Sequence, residues 1–145
     1  MDASVTTARK IEAAGDRAAA LRELELAAEI QSNLLPNLDP SASPVQGLNR
    51  PARLVSGDFY DYLELPDGRF PFALGDVSGK GMNAALLMAK TVSVFRCLCK
   101  AVYDPAALLR TLNRELHATA TRGMFVTMVV GIYNPRTGKL RFANA

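Results

Sequence analysis

Ser56-Gly57-Asp58-Phe59-Tyr60-Asp61 and Gly75-Asp76-Val77-Ser78-Gly79-Lys80-Gly81 decide how this chain is read, because Leu65-Pro66-Asp67-Gly68-Arg69 lies between them. The intervening stretch is turn chemistry. Proline suits the first central position of a type I turn and Asp67 the second, and Gly68 supplies the left-handed residue of a bulge. A three-residue loop of this kind pairs Leu65 with Arg69, so paired residue numbers add to 134. That register puts Asp58 directly opposite Asp76. A two-residue Asp67-Gly68 turn would instead move the two acids to opposite faces. The proline before Asp-Gly favours the bulged form.

The same register sets Tyr60 against Leu74, Tyr62 against Phe72 and Glu64 against Phe70. This reads as a largely apolar, aromatic-rich core face with two acids at its far end. Carboxylates placed directly opposite repel and destabilise a sheet. One of them is protonated, or the strand ends splay, or a cation sits between them. Hard divalent cations such as Mg²⁺ and Mn²⁺ take carboxylate and carbonyl oxygens. The glycines after Asp76 let backbone approach an ion or a phosphate before a helix begins. A strand end with two solvated acids and a flexible turn is the plain alternative.

Working outward, residues from Thr6 to Leu35 read as one long helix, rich in Ala, Leu, Glu, Gln and Arg and free of proline. Its apolar positions run Ile11, Ala14, Ala18, Leu21, then Leu24, Ala28, Gln31, Leu35. The short step from Leu21 to Leu24 breaks the heptad as a stammer does. Two readings stand: an amphipathic helix packed on its own domain, or a two-chain coiled coil or signalling linker. Pro36, Pro40 and Pro44 end the helix and mark a boundary. Strand character follows from about Val45 to Asp76. Ala84–Val102 and Pro105–Ala120 read as helices, the second with Asp104 as N-cap and Pro105 at its first position. Phe125–Tyr133 and Lys139–Ala143 form a hairpin turned by Asn134–Gly138. This order predicts an α+β domain with an antiparallel sheet. Lys139–Ala145 ends without a stop signal, leaving an unprotected edge strand.

Composition narrows the function classes. The 145 residues carry 17 Lys and Arg against 14 Asp and Glu, a net charge of +3. So mild and scattered an excess, with no Trp, does not suggest nucleic-acid binding. The apolar stretches are too short or interrupted for a membrane span, and no secretory signal precedes them. A cytoplasmic protein is expected. With His117 as the only histidine and two cysteines, Cys97 and Cys99, no zinc site can be built. The cysteines point to different faces of a helix and suit a reducing compartment. Gly75–Gly81 lacks the Ser or Thr of a P-loop. His117 reads as a surface or capping residue, and Thr127 as a core hydroxyl bonded to backbone.

The two glycine-flanked acids in this order resemble the paired motifs of the PPM-type, metal-dependent serine/threonine phosphatases. The SpoIIE/RsbU branch, related to protein phosphatase 2C, is the most similar. Glu29–Pro36 looks like the helix-to-domain junction of that branch, and Met124–Thr127 and Lys139–Ala145 look like its later strands. The resemblance implies a β-sandwich flanked by helices with two Mn²⁺ or Mg²⁺ ions at one end. Asp76 matches the aspartate that bridges both ions, Val77 the residue offering its carbonyl, and Asp58 the acidic ligand of the second ion. The ions activate a water that attacks phosphorus in line.

What is implied is a bacterial signalling phosphatase acting on a phosphorylated protein, of the anti-anti-sigma type in sigma-factor and stress regulation. In the family, the segment matching Phe142–Ala145 runs on into Gly-His and a further part that supplies more aspartates. Residues 1–36 are therefore expected to form a linker or dimerisation helix, and 37–145 the N-terminal two-thirds of a C-terminally truncated phosphatase domain. A homodimer of weak or no activity is expected, or alternatively a non-catalytic regulatory or dimerisation fragment.

Overall fold

The computed structural model describes residues 3–36, 43–50, 54–118 and 123–145. Pro40–Ala42 of the expected boundary loop and Thr119 and Ala120 of the expected helix end lie outside them. The elements run α1 (Ala3–Leu34), β1 (Phe59–Tyr62), β2 (Phe70–Val77), α2 (Met82–Leu98), α3 (Pro105–His117), β3 (Val126–Asn134) and β4 (Lys139–Asn144). The strands form one antiparallel sheet in the order β1-β2-β3-β4. This is the expected α+β architecture, with one layer of the sandwich present among the described residues.

The bulged turn forms as its residues dictate. Gly68 takes φ 79°, its N–H bonds the Leu65 carbonyl at 2.8 Å, and Leu65 N–H bonds the Arg69 carbonyl at 2.8 Å. Phe59 then faces Gly75 and Tyr62 faces Phe72, the predicted register. Helix α3 starts where its cap predicts: the Asp104 carboxylate accepts from Ala107 N–H at 2.9 Å, with proline in the first turn. Strand structure begins at Phe59 rather than Val45. The described part of 43–50 is irregular, and Gly47 lies against the Tyr60 ring, where a Cβ would sit 2.2 Å from a ring carbon.

The main core lies on the face opposite to the one expected, although Tyr62 and Phe70 of the expected face are buried as well. Helices α2 and α3 cover Phe59, Ala73, Val77, Met128 and Val130 with Met88, Val92, Phe95, Leu108 and Leu112. The face that carries Tyr60, Leu74, Phe72 and the two acids points away from the helices. Leu74 is 61% exposed and Phe142, on the same face, 66%. Both faces of β2 carry apolar residues, so the turn fixed the pairing but alternation could not tell which side the helices would choose. Small Ala73 and Gly75 decide it by letting Phe59 sit close. A Cβ on Gly75 would lie 2.5 Å from the Phe59 ring and 2.9 Å from the Thr127 carbonyl. Gly75→Ala is therefore expected to cost about 1–3 kcal/mol by overpacking, measured by urea unfolding.

Helix α1 divides at the stammer. Upstream, Ile11 is 69% and Leu21 48% exposed. Downstream, Leu24, Ala28 and Leu35 are half-buried and Gln31 buried, packing toward the domain. The reading of a helix packed on its own domain thus describes the downstream half. The packed end is held by Arg96 of α2, which makes two bonds to Asp61 of β1, at 2.7 and 2.8 Å, and one to the Leu34 carbonyl at 2.7 Å.

Candidate metal centre

Asp58 lies one residue before β1 and Asp76 one residue before the end of β2. Val77 N–H bonds the Gly57 carbonyl at 3.3 Å, so the ladder extends two pairs beyond β1. Hydrogen-bonded pairs alternate along an antiparallel ladder, which makes Asp58 and Asp76 a non-hydrogen-bonded pair with its closer side chains. Their side chains therefore stand side by side on one face of the ladder. Partial desolvation, the Asp58 charge and the bond to Asp58 all push the Asp76 carboxyl up, against a lowering bond from Val77 N–H.

Gly57 has no side chain at the point where one would block the site. A Cβ there would lie 2.8 Å from the Val77 carbonyl oxygen and 3.3 Å from Asp76 Oδ1. Two carboxylates and a carbonyl are a hard oxygen donor set, the kind that Mg²⁺ and Mn²⁺ accept while keeping several waters. The residues present therefore fit such an ion. Among the described residues, no group of three or more His, Cys, Asp or Glu side chains gathers.

After Asp76 the chain is pinned to β3. Ser78 N–H bonds the Phe125 carbonyl, and Phe125 N–H bonds Ser78 Oγ, each at 2.8 Å. Gly79 and Gly81 take φ 95° and 77°, which turns the backbone into α2. Thr127 corrects its expected place: it is exposed, sits opposite Asp76, and reaches the Asp76 carbonyl with its hydroxyl at 3.5 Å. The outward face of the sheet carries it to the site rather than into the core. His117 ends α3 and is exposed. Cys97 is exposed and Cys99 buried, and burial pushes the Cys99 thiol up to about 11.

Three further side chains hold the segment before Asp58. Gln31 bonds both peptide groups of Ser56, and Ser56 Oγ accepts from Asp58 N–H at 3.0 Å. Asn49 Nδ2 donates to the Asp58 carbonyl at 3.0 Å. None was legible as functional; an amide at an apolar helix position was the one visible signal.

Residues 66–145 match the family model of Stage II sporulation protein E (SpoIIE). Over 125 residues the chain is 31% identical to phosphoserine phosphatase RsbU of Bacillus subtilis (strain 168), covering 85% of this chain and 37% of that protein. It is 31% identical over 99 residues to phosphoserine phosphatase RsbP of the same organism, covering 67% of this chain and 24% of that one. In three dimensions it resembles the SiaA-PP2C domain of Pseudomonas aeruginosa, with a TM-score of 0.77 and 26% identity over 91% of this chain and 56% of that one. The chain spans well under half the length of these curated relatives.

Proposed function

The chain belongs to the SpoIIE family of PPM-type phosphatases, and from that premise we propose that its protein is a metal-dependent phosphoserine/phosphothreonine protein phosphatase of bacterial signalling. One observation carries the reading: Asp58 and Asp76 share a non-hydrogen-bonded ladder pair beside the bare Cα of Gly57. Asp58, Asp76 and the Val77 carbonyl would hold Mn²⁺ or Mg²⁺. When bound, such ions lower the pKa of a water and neutralise charge developing on phosphoryl oxygens. The chain's own part is positional. Two strands of one ladder hold the carboxylates at a set separation, and the exposed position of Asp76 at the sheet end admits a phosphorylated side chain of another protein.

The substrate we assign is a phosphorylated protein of the anti-anti-sigma type, met in the cytoplasm. The names of RsbU and RsbP as phosphoserine phosphatases support a phosphoserine group on that substrate. No helix of the described residues is long and apolar enough to cross a membrane. The test is Mn²⁺-dependent release of phosphate from a phosphoserine protein. Asp58→Asn is expected to reduce it to background; undiminished release would overturn the role of Asp58.

A second reading, a non-catalytic regulatory or dimerisation fragment, is favoured by the lack of a third acid near the pair among the described residues. On that reading these 145 residues alone bind Mn²⁺ yet barely hydrolyse an aryl phosphate. Turnover at the rate of an intact relative would exclude it.

Residues 1–36 serve as the linker and self-association helix. Exposed Ile11 and Leu21 support this, since a helix gains most of its stability by packing an apolar face. Ile11→Glu with Leu21→Glu is expected to halve the mass seen by light scattering. An unchanged mass would place the interface elsewhere.

A further inference from the structure

We propose that Gln31 is a positioning residue for Asp58, acting from the last turns of α1 through Ser56. The inference rests on the metal reading above and adds a residue to it. Gln31 is 8% exposed, at a helix position where its neighbours in the seam are apolar. A buried amide costs stability unless it is bonded. Here both ends of the amide are used: Nε2 donates to the Ser56 carbonyl and Oε1 accepts from Ser56 N–H, each at 2.8 Å. Two bonds to one residue fix the orientation of its peptide groups, as a ladder pair would.

Ser56 needs such a partner because the sheet does not hold this segment. Among the described residues β1 is an edge strand, and it starts only at Phe59. At a non-hydrogen-bonded pair the backbone N–H and carbonyl point away from the neighbouring strand. For Asp58 they point to the free edge, where side chains take them: Ser56 Oγ accepts from the N–H and Asn49 donates to the carbonyl, both at 3.0 Å. The ladder bond nearest to Asp58 on its outer side, from Val77 to Gly57, is a long 3.3 Å. Asp58 is therefore aimed by Ser56, and Ser56 is held by Gln31.

The amide in turn has a rigid base. Arg96 ties the Leu34 carbonyl at the end of α1 to the buried Asp61 of β1. The helix end and the strand it aligns are joined on both sides of the Asp58 segment. An apolar residue at position 31 would pack the helix as well but leave both Ser56 groups unpaired and the segment free to shift.

The test uses Mn²⁺ alone as the probe, with the whole chain and calorimetry. Gln31→Met keeps the bulk and removes both bonds. It is expected to weaken Mn²⁺ binding about tenfold, in the range found when groups that orient metal ligands are removed. Ser56→Ala, which keeps the peptide groups that Gln31 bonds, should weaken it in the same direction. The double variant should lose less than the two single losses combined, because both act along one route. Val92→Ala, a core truncation remote from this route, should lower the unfolding midpoint without moving the Mn²⁺ affinity. Wild-type affinity in Gln31→Met, or in Ser56→Ala should Gln31→Met not fold, overturns the inference; so does strict additivity. Asp76→Asn separates the two claims: if it too binds Mn²⁺ normally, the metal reading fails rather than the role of Gln31.

Discussion

Asp76→Asn is expected to abolish specific Mn²⁺ binding while making the metal-free chain more stable at neutral pH. The two effects have one cause. Burial and the neighbouring Asp58 raise the Asp76 carboxyl above its ordinary range. A group whose folded pKa is raised binds its proton more tightly in the fold, so its ionised form opposes folding above the unfolded pKa. Asparagine removes that charge and keeps the shape. The gain should be present at neutral pH and vanish once the pH falls below the carboxylate range, where Asp76 is protonated in both states. Calorimetry with Mn²⁺ and thermal unfolding with a chelator measure the two halves. If Asp76 were only a solvated acid at a strand end, the wild-type chain would show no specific Mn²⁺ binding to lose. Loss of binding together with lower stability would mean that Asp76 supports the fold instead.

The register that brings the acids together was legible because it depends on local chemistry. Pro66-Asp67-Gly68 sets the turn, the turn sets the pairing, and the pairing places Asp58 opposite Asp76. The Asp104 cap and the Asn134–Gly138 hairpin were legible for the same reason. The core face was not, because β2 is apolar on both sides and the choice falls to helices distant in sequence. Thr127 followed that error: once the outward face carries the site, position 127 stands beside Asp76 rather than in the core. Gln31 and Arg96 escaped because their partners lie 25 and 35 residues away. A sign of them was nevertheless present. Asp61 alternates with Phe59 and Leu63 on what proves to be the inner face, and an acid at such a position must find a cation.

Arg96→Leu is the substitution expected to damage the fold most. Asp61 is fully buried, and its carboxylate is held by a two-bond fork from Arg96 and by Tyr62 N–H at 2.9 Å. Burial raises the Asp61 carboxyl, while the bonds to Arg96 and its charge pull it down. Removing the guanidinium leaves the desolvation and takes away most of what opposes it. Breaking one side of a buried pair costs about 3–5 kcal/mol. The part of Arg96 that reaches solvent puts the expectation at the lower end, about 3 kcal/mol, or roughly 10 °C in Tm for a chain this size. The loss should depend on pH with a definite sign. With the Asp61 pKa raised further, the penalty is full at neutral pH and shrinks as the pH falls through it, since a protonated carboxyl carries no charge to bury. Arg96→Leu with Asp61→Leu then tells the cause. Replacing both partners by apolar groups is close to neutral where the charge alone was the burden. The double variant should recover most of the stability, short of the bond that the Leu34 carbonyl has lost. A double variant as unstable as the single one would show that the junction of α1 with the domain, not the stranded carboxylate, carries the cost.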